Sequence, residues 1–266
     1  MTEIRNLKIG FIGFGNMGSG IAEGMLGSGR IAAVQLYACG AHFEKCEKRC
    51  AELGGINARK TPEEVVQEAE LLFLCVKPNL AESVLSSLKE RLSGKVIVSI
   101  IWGYEFDRLS VLLPADVQLL CTCPNTPVSI GRGIFVVERK HSLRDAEFME
   151  VTDILSAMST IVMAETAQMG IAGILSSCGA AFADLFMEAL ADAGVMYGLP
   201  RKTAYALSAG MLEGTAAMQE ATRLHPGVMK DAVCSPGGAT IRGVAKLEEK
   251  AFRSAVLSAV QAIQED

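Results

Sequence analysis

Three closely spaced glycines near the N-terminus are the first residues whose type and spacing suggest chemistry. Gly13, Gly15 and Gly18 form a G-x-G-x-x-G pattern after a short apolar run and at the start of a predicted helix. In such a loop the first glycine permits a tight turn, the second lets the backbone approach a pyrophosphate, and the third allows close helix–strand packing. Unpaired N–H groups at the helix start then bind phosphate oxygens. The pattern predicts a dinucleotide-binding loop; the alternative is a plain strand–helix turn.

The end of the second predicted strand bears on which dinucleotide this loop would bind. An NAD site usually presents an acidic residue there, about twenty residues after the glycines, to hydrogen-bond the ribose hydroxyls. Here the segment reads Ala38-Cys39-Gly40-Ala41-His42, with no carboxylate to repel a 2′-phosphate and no arginine to bind one. The sequence therefore favours NADP(H) and leaves NAD(H) open.

A second glycine-rich segment, Ser235–Thr240, precedes another predicted helix. Pro236-Gly237-Gly238 ends one segment, Ala239-Thr240 begins the next, and hydroxyls stand at both ends. Such an entry to a helix exposes N–H donors at the positive end of the helix dipole, which suits a carboxylate ligand. A capped helix–helix turn with no ligand is the alternative.

Composition excludes several classes of protein. The chain has 266 residues, is 50% hydrophobic and carries a formal charge of −5, with its lysines and arginines scattered, which argues against a nucleic-acid partner. Residues 1–10 lack an apolar run of signal-peptide length, and acidic residues interrupt the apolar stretch 179–195, so we expect neither a secretion signal nor a membrane partner. The eight cysteines form no C-x-x-C pair and only three histidines accompany them, so we expect no metal site, reduced thiols and a cytoplasmic location.

The elements that must position these loops change character along the chain. Short apolar runs alternate with amphipathic stretches as far as residue 165, and the runs at 71–76 and 95–101 are apolar almost throughout. Such strands indicate a sheet covered on both faces, hence a mostly parallel, doubly wound Rossmann-type α/β domain. The remainder is rich in good helix formers. We therefore predict a dinucleotide-binding domain at 1–165 and an all-helical domain at 166–266, ending in one helix from Thr240 to the C-terminus.

Five motifs resemble the pyrroline-5-carboxylate reductase family and occur in the family's order over nearly the whole chain. They are GFIGFGNMGSGIAEGM at 10–25, FLCVKP at 73–78, CPNTP at 123–127, EALADAGVMYGLPR at 188–201 and HPGVMKDAVCSPGGATI at 225–241. The resemblance implies an enzyme that reduces the cyclic imine acid 1-pyrroline-5-carboxylate to L-proline with NADPH or NADH, the last step of proline biosynthesis. It also implies a homodimer or higher homo-oligomer formed through the helical domain, which would bind the substrate.

The same resemblance assigns residues to roles. Substrate contacts would come from Asn125 and from the second glycine segment, where Thr240 would be the catalytic residue beside the ring nitrogen. The implied cofactor contacts are Gly13, Phe14, Gly15, Asn16, Met17, Gly18, Cys75, Val76, Lys77, Pro78, Ile100, Ile101 and Trp102, and the substrate contacts are Ser235, Gly237, Gly238, Ala239, Thr240 and Asn125.

Two segments depart from the family pattern. Residues 175–182 read LSSCGAAF where LSGSGPAY is typical, and Trp102 stands where the family's S-x-A-A-G strand end has alanine. These changes leave open a paralogue that reduces another cyclic imine acid, or a catalytically impaired NADP-binding regulatory protein. A β-hydroxyacid dehydrogenase is disfavoured, because the stretch 165–177 lacks the lysine which that family uses as its acid/base.

Overall fold

A computed structural model describes residues 7–265, and one eight-stranded sheet dominates the first part of the chain. The strands lie in the order β3-β2-β1-β4-β5-β6-β7-β8. Every neighbouring pair is parallel except β6 and β7, which run antiparallel. The strands are β1 (Ile9–Ile12), β2 (Leu36–Cys39), β3 (Asn57–Ala58), β4 (Leu71–Leu74), β5 (Val96–Ser99), β6 (Gln118–Pro124), β7 (Gly133–Glu138) and β8 (Ser159–Ala164).

Helices connect the strands and make up the rest of the described chain. Those of the first part are α1 (Asn16–Gly27), α2 (Phe43–Glu52), α3 (Pro62–Glu68), α4 (Ala81–Leu88), α5 (Phe106–Ser110), α6 (Asp145–Ser156) and α7 (Met169–Gly173). A π-helical turn, Ile174–Cys178, leads into α8 (Gly179–Met196), α9 (Arg201–Thr222), α10 (Pro226–Ala232), α11 (Ala239–Glu249) and α12 (Phe252–Gln264).

The sheet has a hydrophobic core on each face. Phe11 of β1 lies opposite Phe73 of β4, and their rings stack with centroids 5.2 Å apart in one core. The next residues of the same strands, Ile12 and Leu74, belong to the core on the other face. Because successive side chains of a strand point to opposite faces, strands that are apolar throughout need two covered faces. The predicted doubly wound, mostly parallel sheet with a helical C-terminal region is thus confirmed.

The chain divides into two compact units, one up to Ser177 and one from Cys178. The predicted domain boundary, after residue 165, lies before the short helical stretch that leads to the π-helical turn. In that stretch Met169 and Gly173 are buried, and α7 contacts β6 and β7, so the stretch belongs to the compact unit that contains the sheet.

In the second unit α8 and α9 pack against each other, and the predicted single C-terminal helix is wrong. The helix breaks after Glu249, and Ala251 adopts a left-handed conformation (φ +56°) before α12 begins. The break allows Phe252 to approach Phe186 of α8, with ring centroids 5.8 Å apart. Neither glycine nor proline marks this turn, so no local signal in the sequence predicts it.

One helical stretch, Thr166–Met196, is long and apolar enough to cross a membrane by length and composition alone, which the sequence reasoning did not predict. Only 17% of its most apolar window is buried within the chain. Most of this window is therefore exposed in the single chain.

Candidate active site

The first glycine loop has the geometry that its spacing predicts. Gly13 has φ +97°, and its N–H donates to the Cys39 carbonyl at 3.0 Å. A Cβ at Gly13 would lie 2.6 Å from the Cys75 carbonyl oxygen. A side chain here is excluded both by the left-handed backbone and by the neighbouring strand end. The loop therefore turns tightly between β1 and α1, against the residue that follows β4.

The other two glycines of the loop differ in the space around them. A Cβ at Gly18 would lie 2.4 Å from the Gly13 carbonyl oxygen, so Gly18 is needed for close packing of the loop. At Gly15 a Cβ would meet nothing within 4 Å, and this residue is the N-cap of α1 without any side-chain cap. The first-turn N–H groups of α1 therefore open on free space. This cradle fits a pyrophosphate group, as helix starts of this kind do.

Two further segments that were predicted to bind the cofactor follow the neighbouring strands β4 and β5. The Cys75 N–H donates to the Ile12 carbonyl at 2.8 Å, and the Ile100 N–H donates to the Leu74 carbonyl at 3.0 Å. Cys75 and Ile100 thus extend the sheet beyond β4 and β5, and the rest of each segment follows directly. The structure brings both segments to the carboxyl edge of the sheet beside the glycine loop, where ligands of such folds bind.

Trp102 lies at this edge with its ring against α7. The indole is 46% exposed, and a Cβ on Gly173 would lie 2.3 Å from its Cζ3 atom and 3.0 Å from Cys123 Sγ. The ring also lines a small cavity with Tyr104 and Met169. The departure from the family pattern at position 102 is therefore accommodated by a residue without a side chain at 173.

Asn125, predicted to bind substrate, uses its side-chain amide within the first unit. Its Oδ1 accepts from the Ile134 N–H at 2.8 Å, and its Nδ2 donates to the Ser176 carbonyl at 2.9 Å. Ser177 adds a second tie, because its hydroxyl donates to the Pro124 carbonyl at 2.9 Å. Together these bonds hold the π-helical turn on the end of β6. Asn125 thus positions this turn, and a contact with substrate stays a prediction.

Glu138 is a buried polar residue near the Trp102 segment that sequence reasoning did not single out. Its carboxylate is fully buried at the end of β7, and accepts from the Phe106 N–H at 2.8 Å and the Thr166 hydroxyl at 2.6 Å. Charge-assisted hydrogen bonds of this kind are the stronger ones, and they offset the cost of burying a carboxylate. Glu138 thereby joins α5, which follows the Trp102 segment, to the start of the helical stretch.

Several cysteines of the sheet lie within its core or at its edge. Burial, with a smaller contribution from the neighbouring Cys46, raises the pKa of the Cys39 thiol to about 12. Burial likewise raises the pKa of Cys75 and of Cys121. Because a thiolate is the reactive form, these thiols are poor nucleophiles near neutral pH.

The second glycine segment opens α11 in the second unit. Gly237 has φ +67°, and Gly238 is the extended N-cap of α11 without a side-chain cap. The Gly238 N–H donates to the Ser235 carbonyl at 3.0 Å, while the Ser235 hydroxyl lies where a Cβ on Gly238 would be, at 2.4 Å. The Ala239 and Thr240 N–H groups therefore begin a helix with no capping partner. The arrangement suits a carboxylate, as was predicted for these residues.

Two family models match separate parts of the chain. Residues 8–103 match the model described as NADP oxidoreductase coenzyme F420-dependent. Residues 166–266 match the model described as pyrroline-5-carboxylate reductase dimerisation. The first match confirms the predicted dinucleotide-binding character of the N-terminal half.

Named relatives match over almost their whole length. Pyrroline-5-carboxylate reductase from Treponema pallidum is 42% identical over 260 residues, covering 96% of this chain and 98% of the relative. The enzyme of that name from Escherichia coli is 37% identical, covering 95% and 94%. A crystal structure of the Plasmodium falciparum pyrroline carboxylate reductase with NADP bound superposes with a TM-score of 0.88 at 30% identity, covering 98% and 97%. By identity at this level over nearly its full length, the chain belongs to the pyrroline-5-carboxylate reductase family.

Proposed function

We propose that this chain is an NAD(P)H-dependent reductase that converts 1-pyrroline-5-carboxylate to L-proline. The observation that carries the proposal is the pair of uncapped, glycine-lined helix starts, α1 after Gly15 and α11 after Gly238. The first suits the pyrophosphate of a dinucleotide, and the second suits the carboxylate of a small acid. Near-full-length identity to enzymes named for this reaction supports the substrate assignment.

The proposed reaction needs few catalytic side chains. The cofactor, when bound, supplies a hydride. The chain supplies binding and orientation: the loop from Gly13 to Gly18 holds the pyrophosphate, and Ser235 with the N–H groups up to Thr240 holds the substrate carboxylate. The Thr240 hydroxyl hydrogen-bonds the ring nitrogen. Because a protonated imine is already electrophilic, no strong acid is needed to polarise it.

NADP(H) is the proposed cofactor. The Plasmodium relative holds NADP, and the end of β2 carries no carboxylate that would repel a 2′-phosphate. NAD(H) is the alternative that the sequence leaves open, and parallel assays with NADPH and NADH measure the preference between the two.

We further propose that the chain forms a homodimer, or a higher homo-oligomer, through its helical region. In the described part of the second unit only Ala191, Ala204 and Ser208 are buried, and large apolar side chains along α8 and α9 are exposed. A second copy would cover this surface, including the apolar stretch that is long enough to cross a membrane. The family model named for dimerisation covers the same residues. A cytoplasmic location, expected from the sequence, stays a prediction.

The decisive assay follows NADPH absorbance with 1-pyrroline-5-carboxylate and, in parallel, with cyclic imine acids of other ring sizes. We expect oxidation of NADPH with the five-membered substrate above all. Preference for another ring would indicate a paralogue with a different substrate, to which the Trp102 departure could contribute. Tight NADPH binding without turnover of any imine would contradict the proposal and favour a regulatory protein.

A substitution at Thr240 tests the residue proposed to act on the substrate. Thr240→Ala removes the hydroxyl that stabilises the ring nitrogen, so we expect kcat to fall about tenfold to a hundredfold with little change in NADPH affinity. Thr240→Ser retains the hydroxyl and should keep most of the activity. Equal losses of turnover and of NADPH affinity in Thr240→Ala would contradict this role.

A further inference from the structure

The short edge strand β3 brings a cation to the part of the first unit where the adenosine end of a dinucleotide would bind. β3 runs parallel to β2, with Ala58 opposite Ala38, and the Arg59 N–H donates to the Ala38 carbonyl at 2.8 Å. Lys60 follows directly. Its Nζ lies 5.6 Å from the ring centroid of Phe43, the first residue of α2. Lys60 therefore stands beside the turn that leads from β2 into α2.

The Lys60 ammonium makes no ion pair within 4.0 Å among residues 7–265, whereas the neighbouring Arg59 lies 3.9 Å from Glu68. The carboxylates nearest in sequence are Glu63 and Glu64. Glu64 accepts the backbone N–H of Lys60 at 2.8 Å, so it is directed at the start of α3. The side chain of Lys60 is exposed and can reach a ligand from solvent.

A dinucleotide in a fold of this kind places its adenosine ribose at the carboxyl end of β2. An acid there hydrogen-bonds the free hydroxyls of NAD, but a 2′-phosphate needs a cation. In this chain the strand end offers Cys39, Gly40, Ala41 and His42. His42 is the N-cap of α2 and does not cap it with its side chain. No carboxylate from β2 opposes a phosphate at this position.

We propose that Lys60 is a specificity-determining residue that selects NADP(H) over NAD(H) by pairing with the 2′-phosphate. This inference rests on the proposed function, because it assumes that the first unit binds a dinucleotide along the carboxyl edge of its sheet. The pairing partner comes from the segment that follows the two-residue strand β3, and not from the β2 turn where a sequence comparison would look for it.

The test measures binding without turnover. The full chain is titrated calorimetrically with adenosine 2′,5′-bisphosphate and with 5′-AMP, which differ only in the 2′-phosphate. For Lys60→Gln we expect binding of the bisphosphate to weaken about tenfold and binding of 5′-AMP to stay within about twofold of the unsubstituted chain. Lys48→Gln is the matched control, because Lys48 is an exposed lysine in α2 that makes no ion pair among the described residues 7–265. This variant should bind both nucleotides normally.

Kinetics with the two cofactors provides the second readout. Lys60→Gln should lower kcat/KM for NADPH about tenfold and leave kcat/KM for NADH unchanged. Unchanged bisphosphate binding in Lys60→Gln, or an equal loss of affinity for both nucleotides, would overturn the assignment to Lys60. The proposed function would still stand if the unsubstituted chain reduces the imine. A chain that binds neither nucleotide nor reduces the imine would overturn both.

Discussion

Gly15 and Gly18 lie three residues apart in one loop, yet the structure gives them opposite surroundings. A methyl group on Gly18 would collide with a backbone carbonyl, whereas a methyl group on Gly15 would occupy open space at the start of α1. Gly18 is therefore needed for the fold, and Gly15 for the ligand that occupies that space. The two requirements can be separated by experiment.

We expect Gly18→Ala to destabilise the chain by about 1–3 kcal/mol, because the Gly13 carbonyl must move to admit the new Cβ. Gly15→Ala should melt close to the unsubstituted chain and yet bind NADPH at least about tenfold more weakly, since its methyl group fills the phosphate cradle. Thermal unfolding and NADPH fluorescence titration measure the two effects. Full NADPH affinity in Gly15→Ala would mean that the pyrophosphate lies elsewhere.

At this scale the sequence predicts the residues whose spacing forms a motif and misses those that act alone. The glycine loops are visible because several glycines must stand at fixed offsets. Glu138 ends an apolar strand, and nothing in its neighbours reveals that Phe106 and Thr166 will donate to it. Lys60 likewise has no motif, since its place beside Phe43 depends on a strand pairing between residues far apart in the chain.

At the scale of elements, α7 packs against Trp102, and the π-helical turn that follows α7 is tied to the end of β6. The indole lies where a side chain on Gly173 would be, and Asn125 and Ser177 tie the turn to the end of β6. π-Helical turns often occur at functional sites. Trp102 packs on Gly173, and Ser177, one of the residues that depart from the family pattern, lies four residues farther along the same helical stretch.

A pair of substitutions tests this coupling. Gly173→Ala should destabilise the chain by about 1–3 kcal/mol, because its Cβ would overlap the indole. In a Trp102→Ala background the same substitution should cost at least about 1 kcal/mol less, since the ring is gone and alanine is the better helix former. Urea unfolding of the two single variants and the double variant gives the coupling energy. Additive effects would show that residue 173 does not pack against the ring.

Elements with a strong apolar pattern are predicted well, and short or unmarked ones are not. The apolar runs at 71–76 and 95–101 become β4 and β5. β3 has two residues, which is too few for any periodicity. The bend at Ala251 is not predicted either, because no glycine or proline marks it in the sequence.

At the scale of the whole molecule, the two compact units differ in how much apolar surface each one buries. The sheet has a core on each face, whereas the second unit exposes large apolar residues along α8, α9 and α12. Scattered exposed apolar residues are normal, but contiguous ones mark an interaction surface. Sequence composition alone could not predict this contrast, since both halves are similarly apolar.

A charge placed on this surface tests the proposed oligomer. Leu207 is an exposed residue of α9, and Leu207→Glu should shift sedimentation toward a single chain because a carboxylate opposes burial in an apolar interface. Val111→Glu, at an isolated exposed apolar residue after α5, is the matched control and should leave the oligomer intact. An unchanged oligomer in a set of such α8 and α9 variants would contradict assembly through the helices.

The second unit buries few of its residues, and this affects how the protein behaves on dilution. With Ala191, Ala204 and Ser208 as the buried residues among 178–265, the helices hold little stability as a lone chain. In the proposed assembly, folding of this region and encounter with another copy become a single equilibrium governed by mass action. The melting temperature should then rise with protein concentration. In a dilute stock the Ser235–Thr240 turn would unfold as the copies of the chain separate.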